Sequence, residues 1–452
     1  MSFSKAVSLL TLALSSFQGA QAALNLNNPN NIAVYWGQNS YGQSTGPYVQ
    51  QRLSYYCRNT DTDVYQISFL TRFNGVGGAP EVNFANAGDN CTTFEGTNLL
   101  NCPQIADDIK ECQSLGRTIL LSIGGATYNE GGFASESAAK AGAKMIWETF
   151  GPVTNSSAKR PFGDAVVDGF DFDFEAVSNN MPAFANQLRS YYETDTSKKY
   201  YTTAAPQCPY PDAADGPMLD GTVYFDAIWV QFYNNFCGLQ SFVPGSTTQN
   251  NFNFETWDTW AHKTSLNKNA KVFVGIPGNR GAAGSGYQPV DVVSQIIQYT
   301  KRFSSFGGIM IWDASQVQAN SGFLSGIRSA LGGSSGGGGS SSTSSTTTTS
   351  KTTSSTPSTP TTTTSTTLTK TTKPTTSPTT TTSTASPPST TCPAAGRTCP
   401  STGAFACNGN QFGICDNGKW VMQQCPGSLA CVQSGSGVYC DFPGPAGSVP
   451  CS

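Results

Sequence analysis

Histidine is almost missing from this chain: there is one residue in 452, His262. A Ser-His-Asp hydrolase needs its histidine beside the nucleophile. His262 instead falls in a helical stretch amid Trp257 and Trp260, so that class is excluded in practice. The same scarcity removes the commonest metal ligand, and no metal or cofactor is expected. Charge is scarce too. Charged residues make up 12% of the chain and the formal net charge is -3, so there is no basic footprint for nucleic acid. Long apolar runs are missing beyond the first residues, whereas a membrane span needs about 20; no membrane insertion is expected. The C-terminus, Gly447-Ser448-Val449-Pro450-Cys451-Ser452, has no hydrophobic tail of the kind a lipid-anchor signal requires.

What is present points to export. Residues 1–22 read as a secretory signal peptide, with Lys5 as the positive end, Ala6 to Leu14 as the apolar core and Ala20-Gln21-Ala22 as the cleavage site. The expected location is secreted, extracellular or cell-wall associated. The 14 cysteines suit an oxidising compartment. Six lie between Cys57 and Cys237 and eight between Cys392 and Cys451, so each group can pair within itself. Six cysteines allow fifteen connectivities, and sequence alone does not choose among them. Asn90-Cys91-Thr92 and Asn155-Ser156-Ser157 are glycosylation sequons.

From 23 to 332 short β-rich runs alternate with helical patterns. Eight strands are predicted: Ile32–Trp36, Val64–Leu70, Thr118–Ile123, Val166–Glu175, Tyr200–Ala204, Ala227–Tyr233, Lys271–Ile276 and Gly308–Trp312. Helices are predicted between them at Ile105–Leu115, Ala138–Phe150, Met181–Tyr192 and Val290–Phe303. That count and order fit an α/β protein of the (β/α)8 barrel type better than an open doubly wound sheet, and such barrels carry their chemistry at the C-terminal strand ends. Tyr35, Trp36, Gln38, Gly124-Gly125, Glu175, Gln207, Gln231, Tyr233 and Trp312 all fall at those ends.

One stretch organises the rest: Asp168-Gly169-Phe170-Asp171-Phe172-Asp173-Phe174-Glu175. As a strand it alternates, so Gly169, Asp171, Asp173 and Glu175 share one face while three phenylalanines share the other. An exposed strand would not need phenylalanine at every second position. A calcium loop of the EF-hand type would need a mid-loop glycine and flanking helices. Stacked acids on a buried face push carboxyl pKa values up, through like charge and desolvation. Glu175, at the strand end, is the candidate general acid.

Residues 333–391 shift to Gly, Ser, Thr and Pro, a composition that cannot bury enough apolar surface to order itself and reads as a linker. Residues 392–452 hold eight cysteines, the staples that so small a domain needs. Trp420, Phe405, Phe412 and Tyr439 add more aromatics than a bare cystine scaffold requires. An aromatic face beyond a linker suggests a sugar-binding module, though an inhibitor or toxin-like scaffold also fits.

The strand stretch matches the D-G-x-D-x-D-x-E signature of family 18 glycoside hydrolases, the chitinase family. Ala33-Val34-Tyr35-Trp36-Gly37-Gln38-Asn39, Leu121-Ser122-Ile123-Gly124-Gly125, Ala204-Ala205-Pro206-Gln207-Cys208-Pro209, Trp229-Val230-Gln231-Phe232-Tyr233-Asn234-Asn235 and Gly307-Gly308-Ile309-Met310-Ile311-Trp312 resemble its hevamine-like (class III) branch, also found in fungi. The segment Cys399–Cys440, with Ala406-Cys407-Asn408-Gly409 and Cys415-Asp416-Asn417-Gly418-Lys419-Trp420, resembles the small family 19 chitin-binding module. The resemblance implies a secreted endochitinase acting on chitin and chitooligosaccharides, expected to work as a monomer. It implies retention through the substrate's own 2-acetamido group and an oxazolinium intermediate. Glu175 would be the acid and later the base. Asp173 would bind the acetamido N–H and Tyr233 its oxygen. Trp312 would floor the subsite, and Asp171 would tune Asp173 by sharing a proton. Tyr35, Gln231 and, in the tail, Trp420 would bind substrate. The pairing Cys57–Cys112, Cys91–Cys102 and Cys208–Cys237 is also implied. Three departures are visible: Ala126 opens a loop unlike the plant proteins, Phe174 stands where many relatives have Ile, a packing difference, and the plant relatives usually end at the barrel whereas this chain continues. The competing readings are an endo-β-N-acetylglucosaminidase on N-glycans and a non-catalytic, lectin-like wall protein or inhibitor; the presence of Glu175 opposes the second.

Overall fold

The computed structural model describes residues 24–332, 392–400, 404–416, 418–425, 430–434 and 437–441. The signal peptide and the linker read from the sequence lie outside these residues. All eight predicted strands form. They are β1 (Asn31–Trp36), β2 (Val64–Arg72), β3 (Thr118–Gly124), β4 (Gly169–Asp173), β5 (Tyr201–Ala204), β6 (Ala227–Gln231), β7 (Lys271–Pro277) and β8 (Phe306–Trp312). Each pairs in parallel with its neighbour, and β8 returns to β1, which also pairs with β2, so the sheet closes into a barrel.

Period-two alternation sorts the strand residues into two cores. Side chains facing outward, such as Ile67, Ile123, Val230 and Ile309, pack with the helices in one large cluster. Side chains facing inward, such as Ala33, Tyr35, Leu120, Tyr201, Trp229, Phe273 and Met310, fill the barrel as a separate cluster. Leu24 and Leu26 belong to that inner cluster, and the Tyr201 hydroxyl donates to the Leu24 carbonyl at 3.1 Å.

The predicted helices are present as α2 (Pro103–Ser114), α3 (Glu136–Phe150), α4 (Met181–Tyr192) and α7 (Val290–Thr300). Proline opens α2, where its missing N–H costs nothing. Ser135 caps α3 by accepting from the Ala138 amide. The outer layer is completed by α1 (Leu53–Asn59), α5 (Gly216–Leu219), α6 (Phe254–Thr259), α8 (Ala314–Gln318) and α9 (Phe323–Ala330). The disulfides Cys57–Cys112, Cys91–Cys102 and Cys208–Cys237 form as the resemblance implied. Closing the second loop is worth roughly 3 kcal/mol on chain-entropy grounds.

In the C-terminal segment β9 (Phe405–Asn408), β10 (Gln411–Asp416) and β11 (Lys419–Gln424) make an antiparallel sheet, followed by the hairpin of β12 (Ala430–Ser434) and β13 (Gly437–Asp441). Disulfides join Cys399 to Cys415 and Cys407 to Cys431. Register corrects one sequence expectation. Trp420 pairs with Cys415, on the sheet face opposite that of Phe405, Phe412 and Ile414. It is 2% exposed and packs on Cys399 and Cys415. Trp420 is therefore core, not a sugar platform, while Phe405 is exposed.

Candidate active site

The signature stretch behaves as its alternation predicts. Phe170, Phe172 and Phe174 are each at most 1% exposed in the outer core, worth about 1.5–3 kcal/mol apiece in burial. Phe174 packs edge-on against Tyr128 at 4.9 Å, a packing role as expected. Asp168, at the N-terminal end, is structural: it accepts from the Ile119 amide at 2.7 Å and pairs with Lys198 at 2.8 Å. The strand stops at Asp173, two residues earlier than predicted. Glu175 thus sits just beyond the rim, half-buried, on the wall of a cleft that Tyr35, Asp173, Gln231, Tyr233 and Trp312 also line.

Asp171 lies deepest. One of its oxygens accepts from the Tyr35 hydroxyl and the Ser122 hydroxyl, both at 2.7 Å. The other accepts from the Thr203 hydroxyl at 2.6 Å and the Trp229 indole at 2.8 Å. These four donors occupy both oxygens and favour the charged form, against burial, which raises its pKa. No hydrogen bond joins Asp171 to Asp173 among the described residues; Asp173 accepts instead from the Gln231 amide at 2.9 Å. The structure thus shows Asp171 and Asp173 held by separate partners. Burial, and then the charges of Glu175, Asp171 and Asp212, hold Asp173 well above the usual carboxylate range. Burial, and then the charge of Asp212, push Glu175 up to about 7. The charge of Glu175 is the largest of those acting on Asp173, so the two do not titrate independently. Burial and the same two carboxylates raise the Tyr233 phenol far above its ordinary value, so it remains a neutral donor.

Two glycines let β3 press against this strand end. At Gly124, with φ +117°, a Cβ would lie 2.4 Å from the Asp173 carbonyl; at Gly125, with φ +78°, it would lie 2.7 Å from the Phe69 ring. The Gly125 amide donates to the Asp173 carbonyl at 2.7 Å. Phe69, which sequence reasoning passed over, stacks on Trp312 at 5.9 Å and 20°, so the indole is fixed from behind with a face left to the cleft.

The remaining rim residues divide. Tyr35 is 1% exposed and spends its hydroxyl on Asp171, while Gln231, at 7%, spends its amide on Asp173 and the Ala205 carbonyl. Both position the acids as well as lining the cleft. Trp36 turns into the outer core, and Gln38 donates to the Ser68 and Asn83 carbonyls; neither lines the cleft. Asn235, Arg280 and Ala126 also line it, and the charge of Asp212, on the loop after β5, adds to the upward push on both acids. They sit on loops, where no periodicity singles them out. His262 lies far from this rim. It contacts Ser304, which precedes β8 at the opposite end of the barrel, and both Ser304 and Asp258 meet the same ring nitrogen, Nε2.

Residues 31–285 match the family described as glycosyl hydrolases family 18, and residues 375–436 match the carbohydrate binding domain of family 19. The second match begins inside the stretch read as linker. A class III chitinase of Arthroderma benhamiae is 52% identical over 314 residues, covering 69% of this chain and 88% of that protein. Endochitinase 33 of Trichoderma harzianum is 51% identical over 328 residues, covering 72% and 99%. Among solved structures, the xylanase and alpha-amylase inhibitor protein of Scadoxus multiflorus is 32% identical with a TM-score of 0.52, covering 67% of this chain and 98% of that one. Barrel closure, the acidic strand and these matches agree: the chain belongs to glycosyl hydrolase family 18 and carries a family 19 carbohydrate-binding domain.

Proposed function

We propose that the protein is a secreted endochitinase that cleaves the β-1,4 linkages of N-acetylglucosamine polymers with retention, using the substrate's 2-acetamido group as nucleophile. One observation carries the mechanism: Asp173, the last residue of β4, and Glu175, two residues further on, line the same cleft. A glycosidase with two protein carboxylates in play needs them on opposite sides of the sugar ring. A pair on one wall supplies an acid and a partner for the substrate's own nucleophile.

The steps follow from the positions. Glu175, raised to about 7, delivers its proton to the glycosidic oxygen as the C1–O bond breaks. The acetamido carbonyl oxygen attacks C1 from the other face, closing an oxazolinium ring. Asp173 accepts the acetamido N–H and offsets the positive charge that develops there, as Tyr233 donates to the acetamido oxygen. Trp312 carries the apolar face of the sugar. The Glu175 carboxylate then takes a proton from water, whose oxygen attacks C1 and reopens the ring. Two inversions give net retention. Cellulose and xylan lack the group this needs, and are not substrates on this reading. The Scadoxus protein is named as an inhibitor on the same fold; here the presence of Glu175 beside Asp173 supports hydrolysis.

The tail's role is tethering. With Trp420 in its core, the Phe405 and Phe412 face is the side that meets chitin, and its effect is a higher local concentration of barrel at an insoluble surface. Truncation at Gly333 is expected to leave the rate on soluble chitin oligomers within about twofold. On insoluble chitin at low enzyme loading, the truncated enzyme should bind and hydrolyse distinctly less. Equal activity on insoluble chitin would remove the module from substrate capture. Failure to cleave chitin oligomers while releasing N-glycans from a glycoprotein would favour the endo-β-N-acetylglucosaminidase reading.

A further inference from the structure

The loop from β7 to α7 brings to the cleft a charge that the steps above do not use. Gly281, Ala282, Ala283 and Gly284 line the cleft with almost no side chain, and Arg280 beside them lines it too. Among the described residues Arg280 is the only cation on these walls, which otherwise carry the carboxyls of Asp173 and Glu175 and uncharged groups. The loop is anchored on the strand end that holds Tyr233. The next residue, Asn234, accepts through its side-chain oxygen from the Gly284 amide at 2.8 Å and the Ser285 amide at 3.2 Å. At the other end Asn320 donates to the Gly278 carbonyl at 2.9 Å.

The side chain has a fixed seat as well. Its guanidinium lies over the Tyr287 ring, 5.2 Å from the centroid. Tyr287 stacks on Phe323 at 5.9 Å and 28°, and its hydroxyl accepts from Asn320 at 3.2 Å. Stacking of this kind orients an arginine without neutralising it. Elsewhere Arg52, Arg189 and Arg328 pair with Asp108, Asp226 and Asp63. Arg280 is exposed and forms no ion pair among the described residues. Its charge is therefore left to whatever enters the cleft.

A cleft that holds two carboxyls, on a chain of formal net charge -3, favours cations. The cationic relative of an N-acetylglucosamine polymer is its deacetylated form, in which a sugar carries a free amine. Protonated, that amine offers only donors and a charge of the same sign as Arg280. An acetamido group is neutral, and its carbonyl oxygen can accept from a guanidinium N–H. We propose that Arg280 is a specificity-determining residue: it selects N-acetylglucosamine over glucosamine at a sugar position flanking the bond that is cut. This rests on the chitinase reading and adds to it. The sugar that attacks its own C1 must be acetylated whatever residue stands at 280, whereas selection at a neighbouring sugar depends on Arg280.

Limited digestion of partially deacetylated chitin oligomers, with the products sequenced by mass spectrometry, separates the two. The digestion is run at a pH where the amine is protonated. With the wild type every new reducing end should be acetylated. One flanking position should also be enriched in acetylated sugar by about threefold to fivefold, the scale of a single exposed charge pair. Arg280→Lys should keep most of that enrichment, Arg280→Gln should bring it below about twofold, and Arg280→Glu should reverse it. High salt should weaken it in the wild type, because exposed charges are screened; enrichment indifferent to salt would count against a charge effect. Flanking patterns in Arg280→Gln and Arg280→Glu identical to the wild type would overturn the proposal and leave the chitinase reading intact. So would an equal loss of rate on acetylated and deacetylated oligomers. New reducing ends that lack the acetyl group would instead refute the substrate-assisted reading, and the proposal with it.

Discussion

Replacing Glu175 with glutamine should lower turnover on chitin oligomers by about two to four orders of magnitude while oligosaccharide binding persists. The amide keeps the side chain's size and can still meet the glycosidic oxygen, but it has no proton to give. Near-normal hydrolysis by a folded Glu175→Gln protein would end the assignment. An acid must be protonated to act, so kcat/KM should fall as pH rises through the Glu175 titration, at about 7. Asp173 must be ionised to balance the intermediate, and it is held well above the usual carboxylate range, so activity should also fall on the acidic side at a higher pH than an ordinary aspartate would give. The expected optimum is acidic to neutral. The two limbs report the pair rather than either residue alone. A purely alkaline optimum would contradict the arrangement.

The second large effect is expected at Asp173. Asparagine there can still accept from Gln231 through its oxygen, preserving the hydrogen bond at 2.9 Å, and can still meet the acetamido N–H. What it cannot do is carry a negative charge opposite the oxazolinium ring. Asp173→Asn should therefore reduce kcat by about 10²-fold or more, the scale of losing one aimed electrostatic partner, with a much smaller change in KM. A kcat within tenfold of wild type would show that the charge on the intermediate is balanced elsewhere.

The parts of this site that follow strand periodicity were readable in advance. Phe170, Phe172 and Phe174 against Asp171, Asp173 and Glu175 is a period-two pattern, and both faces went where it sent them. Tyr35, Tyr233 and Trp312 lie at strand ends, which barrel topology gathers at one rim. The pattern was weaker on extent: the predicted strand Val166–Glu175 is paired only over Gly169–Asp173, because strand edges depend on neighbours that a single run does not contain. It was silent on loops. Asp212 is held by the backbone amides of Gln207, Ala214 and Asp215 in a loop, a tertiary arrangement with no periodic signature. Phe69 under Trp312 is likewise a contact between β2 and β8. Trp420 misled for another reason. An aromatic in a small cystine-rich module fits core and sugar platform equally well, and only the register of β10 with β11 shows that it faces Cys399 and Cys415.

The central claim is that the substrate supplies its own nucleophile, and the anomer first released from a chitin oligomer tests it most directly. Proton NMR within the first minutes of hydrolysis, before mutarotation, should show the β-anomer at the new reducing end. Initial release of the α-anomer would mean that water attacks C1 directly, and that Asp173 and Glu175 do not work as described.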